Sequence, residues 1–128
     1  MSSLKHAVSW FEIPATDINR AQTFYETIFK VELAFMDLGD NHKMAVFPSL
    51  MDTISGAIAY HPAWYIPSNS HGPLIYLNAN PDLQEVQNRI EAAGGSVTMP
   101  KKQISPDHGY MAVFIDSEGN RVALHSQN

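Results

Sequence analysis

A chain of 128 residues is long enough for one domain with its own core and too short for two ordinary ones. Hydrophobic residues make up 45% of it and charged residues only 16%, which excludes extended disorder; a net charge of −5 disfavours a nucleic-acid or anionic-membrane surface. Cysteine is absent, so disulfides, thiolate catalysis and sulfur-ligated zinc are excluded together.

The first residues, Met1-Ser2-Ser3-Leu4-Lys5-His6, carry no apolar leader, and no apolar run approaches membrane-spanning length, so a cytoplasmic location is expected. Ala7 to Ile13 is rich in β-branched and aromatic residues and reads as a strand closed by Pro14. Thr16 or Asp17 then caps a helix whose stripe is Ile18, Ala21, Phe24, Tyr25 and Ile28, with Lys30 near its negative end. Three strands follow, at Val31 to Met36, Lys43 to Phe47 and Thr53 to Tyr60, the first two joined by the turn Leu38-Gly39-Asp40-Asn41. His61 to Gly72 is loop-like and carries Trp64 and Tyr65.

The order then repeats. Leu74 to Leu77 is a strand, and Asn80 is expected to cap a helix with Pro81 at its first position. Leu83, Val86, Ile90 and Ala93 form the stripe of that helix, and Gly94-Gly95 ends it. Strands are expected at Ser96 to Met99, Tyr110 to Ile115 and Arg121 to His125, with the tight turn Ser117-Glu118-Gly119-Asn120 between the last two. Lys101-Lys102 is expected in a solvated loop. Each half therefore reads strand, helix, strand, strand, strand, at about 6–61 and 72–126, within a single domain over 1–128. The fold class is α+β: two βαβββ modules whose curved mixed sheets surround a central cleft. Met36, Met44, Met51, Met99 and Met111 are scattered over the strands as core or adaptable cavity lining. No G-x-S-x-G elbow, phosphate-binding glycine loop or H-E-x-x-H motif is present.

Trp10-Phe11-Glu12-Ile13-Pro14-Ala15-Thr16-Asp17, with Arg20-Ala21 and Phe24-Tyr25 after it, resembles the opening of the glyoxalase/bleomycin-resistance/dioxygenase superfamily, also called vicinal-oxygen-chelate proteins. In the second half, Gly72 to Leu77, Glu91 to Gly95 and Asp116 to Arg121 resemble that family's second module. The resemblance implies a cleft that binds a small molecule, and in the family's enzymes a divalent metal held by two residues from each module. Trp10 stands where the first strand's His would be and Ala123 where the last strand's Glu would be. Pro73, Leu74 and Ile75 stand near the second His, and no His, Asp or Glu lies in Ile54 to Ala59. No metal or other cofactor is therefore expected, and a rebuilt metal site would draw on His6, His61, His71 or His125.

Alternation puts Val8, Trp10 and Glu12 on one face of the first strand, and Arg121, Ala123 and His125 on one face of the last. Glu12 and His125 are the candidate acid and base for a carbonyl substrate, Glu12 alternatively being tied to a backbone N–H or to Arg121. Trp10, Trp64, Tyr65, Tyr76 and Arg121 are the candidate ligand contacts. The leading reading is a small-molecule-binding protein of the bleomycin-resistance kind, and the alternative is a glyoxalase-related lyase, isomerase or dioxygenase-type enzyme. The family also implies a homodimer, while the charge leaves no nucleic-acid or membrane partner expected.

Overall fold

Asp17 starts the first helix: its side chain accepts a hydrogen bond from the Arg20 N–H at 3.1 Å, satisfying one of the free donors of the first turn. The computed structural model describes residues 6–49 and 53–128; Met1 to Lys5, read above for a leader, and Met51 lie outside them. The helix, α1 (Ile18–Phe29), follows strand β1 (Trp10–Pro14) and precedes β2 (Ala34–Asp37), β3 (Lys43–Val46) and β4 (Ser55–Tyr60). The second half gives β5 (Tyr76–Asn78), α2 (Leu83–Ala93), β6 (Ser96–Ser105), β7 (Gly109–Ile115) and β8 (Arg121–Ser126). The stripe Ile18, Ala21, Phe24, Tyr25 and Ile28 is buried, as its spacing requires. Burying Phe24, Tyr25 or Ile28 contributes about 1.5–3 kcal/mol each.

The two sheets repeat one topology. In the first, β1 pairs parallel with β4, which continues antiparallel through β3 to β2. In the second, β5 pairs parallel with β8, which continues through β7 to β6. One core holds the helix-facing residues of both, among them Ile13, Ala45 and Ile58 from the first sheet and Leu77, Phe114, Val122 and Leu124 from the second. α1 and α2 pack against each other.

Two expectations change. The cap of α2 is Asp82, which accepts from the Gln84 N–H at 2.9 Å. Asn80 is occupied elsewhere: its amide donates to Asn78 Oδ1 at 2.8 Å and its Oδ1 accepts from the Gln127 N–H at 2.7 Å. Lys30, expected near the negative end of α1, is its C-cap, in the left-handed region at φ 54°. Finally, Lys101 and Lys102 lie on β6, which runs ten residues instead of stopping at Met99. Pro100 does not end this strand because β6 is at the sheet edge, where a missing N–H costs no ladder bond. Lys101 Nζ pairs with Asp82 at 2.8 Å and sits 4.6 Å from the centre of the Tyr110 ring.

The β7–β8 turn grips the first module. Glu118 accepts the backbone N–H groups of Thr16 and Asp17, each at 2.9 Å, and pairs with Arg20 Nε at 2.7 Å. Beside it, Tyr25 donates its hydroxyl to Asp116 at 2.7 Å, while the Asn120 amide donates both to Asp116 at 3.0 Å and to the Pro14 carbonyl at 2.6 Å. Burial raises the Glu118 pKa, but Arg20, the Asp17 N–H, the Ser117 hydroxyl and the Thr16 N–H outweigh it and hold the carboxyl at about 2. At Asp116 burial wins over its hydrogen bonds and the pKa is raised.

Candidate functional site

The alternation of β1 divides the molecule at this strand. Ile13 and Phe11 point into or against the core, while Trp10, 43% exposed, and Glu12 stand on the face away from the helices. On that face Glu12 lies beside Ala57, and Ala57 beside Val46. Small residues there leave room above the sheet. The segment 61–65 reaches this face, where Tyr65 meets Glu12 of β1.

Glu12 is the centre of the arrangement. Its Oε2 accepts from the Trp10 indole N–H at 3.1 Å and its Oε1 accepts from the Tyr65 hydroxyl at 2.6 Å. Among the described residues neither a backbone N–H nor Arg121 holds it, and the ion pairs are Arg20–Glu118 and Lys101–Asp82. The Tyr65 oxygen is also 3.3 Å from His42 Nε2. Burial, the hydrogen bond to Glu12 and the charge of Glu12 push the Tyr65 phenol up to about 12, so it stays a donor at neutral pH.

Rings continue the site outward. His61 stacks on Trp64 with centroids 3.7 Å apart and planes 8° from parallel, and His42 meets the same Trp64 edge-on at 5.3 Å. Trp64 is 64% exposed, so the aromatic surface is open to a ligand. His42 is absent from the sequence-derived set. No sequence signal marks it: the Leu38 N–H donates to the His42 carbonyl at 2.8 Å, which fixes His42 just ahead of β3.

A small cavity of about 210 Å³ adjoins Glu12 and is also lined by Ile66, His71 and Arg121. Arg121 donates to the Gly72 carbonyl at 3.4 Å. The structure thus brings Trp10, Glu12 and Tyr65 together, with Trp64 linked to them through His42 and Arg121 lining the same cavity as Glu12. It does not bring His125 to them: His125 Nε2 donates to the His108 carbonyl at 2.7 Å, and His125 lines neither cavity. Tyr76 is separate as well and lines a larger cavity of about 550 Å³ near the opposite end of β1, beside Val8 and Phe11.

Among the described residues, no three His, Asp or Glu side chains are grouped to hold a metal ion. His61 and His71, two of the residues considered for a rebuilt centre, are instead engaged with Trp64 and with the Ser70 hydroxyl. Among the described residues, the chemistry of the Glu12 site is that of aromatic side chains around a carboxylate.

The comparisons agree with this architecture. The family model of the Glyoxalase/Bleomycin resistance protein/Dioxygenase superfamily matches residues 4–124. No curated protein sequence matches the chain. Among solved structures, glyoxalase I from Zea mays superposes with a TM-score of 0.69 at 17% identity over 93% of this chain, which spans only 45% of that enzyme. The antibiotic-binding protein TnmS3 from Streptomyces sp. CB03234 matches over 98% of both chains, with a TM-score of 0.67 and 20% identity. A glyoxalase/bleomycin resistance protein from Albidiferax ferrireducens T118 covers 96% of this chain and 100% of its own, at 0.71 and 13% identity. At these identities the structural likeness shows the fold alone. Together with the match along nearly the whole sequence, it establishes that the chain belongs to the Glyoxalase/Bleomycin resistance protein/Dioxygenase superfamily.

Proposed function

We propose that this protein binds a planar, aromatic small molecule on the helix-free face of its first sheet. The observation that carries the reading is the Glu12 carboxylate held by Trp10 and Tyr65 among open ring faces. Stacking supplies affinity, and the carboxylate favours ligands with a cationic group. The whole-length likeness to an antibiotic-binding protein supports binding as the activity. Catalysis with Glu12 and His125 as acid and base is the second reading. It has less support, since the two share no hydrogen bond and no cavity.

The chain's two tryptophans are Trp10 and Trp64, so intrinsic fluorescence reports on this site directly. Titration with planar aromatic cations is expected to quench it saturably, with Trp10→Phe and Trp64→Phe dividing the signal. Glu12→Gln is expected to weaken such ligands about ten-fold. Unquenched fluorescence across the panel, together with turnover of a methylglyoxal–thiol adduct that Glu12→Gln abolishes, replaces binding with the enzyme reading. A homodimer is part of the proposal, checked by sedimentation equilibrium.

A further inference from the structure

The larger cavity, of about 550 Å³, differs chemically from the Glu12 face. It lies between the first residues of the β1 and β4 strands, the end of α1, and β5, and its wall includes Phe11, Phe29, Phe47, Ile54, Leu74 and Tyr76. Among the described residues, no acidic, basic or histidine side chain lines it. Its polar side chains other than the Tyr76 phenol already have partners: the Ser55 hydroxyl donates to the Phe47 carbonyl at 2.9 Å, and Asn78 Oδ1 accepts from Asn80. A charged or strongly polar ligand would lose water there and gain little in return.

The walls are braced against collapse. Phe47 contacts Phe11 at 5.8 Å, Tyr25 at 5.6 Å and Phe29 at 6.5 Å between ring centres, and Tyr25 is fully buried. Phe11 lies flat along β4 because residue 56 is glycine; a Cβ there would come within 2.6 Å of Phe11 Cε1. The rings cannot swing in to fill the space without giving up these contacts. A volume of this size falls within the usual range for small-molecule pockets, roughly 300–1,000 Å³.

We infer that this cavity is a second binding site, taking a neutral, apolar small molecule, and that it is distinct from the Glu12 site on the other face of β1. The probe is N-phenyl-1-naphthylamine, an uncharged dye that fluoresces in apolar surroundings, compared with its sulfonated analogue. Saturable binding of the neutral dye is expected, about ten-fold tighter than that of the sulfonate. Ile54, 37% exposed at the rim, tolerates a lysine without a packing loss, so Ile54→Lys is expected to weaken the dye about ten-fold with the melting temperature unchanged. Leu74→Trp, which fills the space, is expected to do the same, whereas Trp10→Ala leaves the affinity as it was.

Folded Ile54→Lys and Leu74→Trp proteins that bind the dye like the parent would overturn the inference. So would dye affinity that falls as protein concentration rises, because a second copy then covers the cavity. Neither result touches the tryptophan-quenching reading of the Glu12 site, so the two proposals fail separately.

Discussion

Glu12 and Tyr65 are separated by fifty-three positions in the chain yet share a 2.6 Å hydrogen bond, and that bond has a measurable signature. Tyr65 ionises at about 12 instead of 10.0, so its folded-state pKa is raised. The stability it contributes is complete below pH 10 and is lost as the pH climbs through 12. Phenolate absorbance should show a late-titrating component that disappears in Tyr65→Phe, and Glu12→Gln should move that component toward lower pH. Equal titration curves for Tyr65→Phe and the parent would remove the bond from the account. Strand alternation made Glu12 and Trp10 legible, because one period-two face had to point away from the core. The loop aromatics were legible as a cluster but not as partners of Glu12. His42 was invisible, since its place depends on a turn with Asp40 and Asn41 at positive φ, which only the folded chain displays.

Helix α1 begins where another part of the chain completes it. Asp17 caps one donor, and Glu118 takes two more N–H groups and Arg20 from a turn a hundred residues later. The Glu118 side chain has no exposed surface, so Glu118→Ala leaves those donors unpaired and should cost about 2 kcal/mol at pH 7, read by urea unfolding. Its lowered pKa sets the pH sense: the contribution is present above 4.5 and fades as the pH falls toward 2, where parent and variant should converge. Strand β4 makes a second test. Gly56→Ala puts a methyl group into Phe11 and should destabilise by about 1–3 kcal/mol while shrinking the apolar cavity, seen as weaker dye binding. Helix stripes and most strands could be read from spacing. The length of β6 and the cap of α2 could not, because Pro100 and Asn80 take their meaning from sheet position and from Gln127.

At the scale of the molecule, the repeat of strand, helix and three strands was legible from order alone, and it predicted two sheets of identical topology. What order could not supply was the joint between them. The modules share one core, and Asp116, Glu118 and Asn120 of the second hold Pro14, Thr16, Asp17, Arg20 and Tyr25 of the first. The covalent link between the halves is the loop ahead of β5, in which Ile66 is the most exposed large apolar residue. The halves are thus held by contacts more than by the peptide that joins them. Two polypeptides divided near Ile66, each unable to cover its own apolar face, should be recovered as a noncovalent pair with the circular dichroism of the intact chain. Glu118→Ala in one piece should then show up as a weakened association constant, turning an intramolecular brace into an affinity between separate molecules.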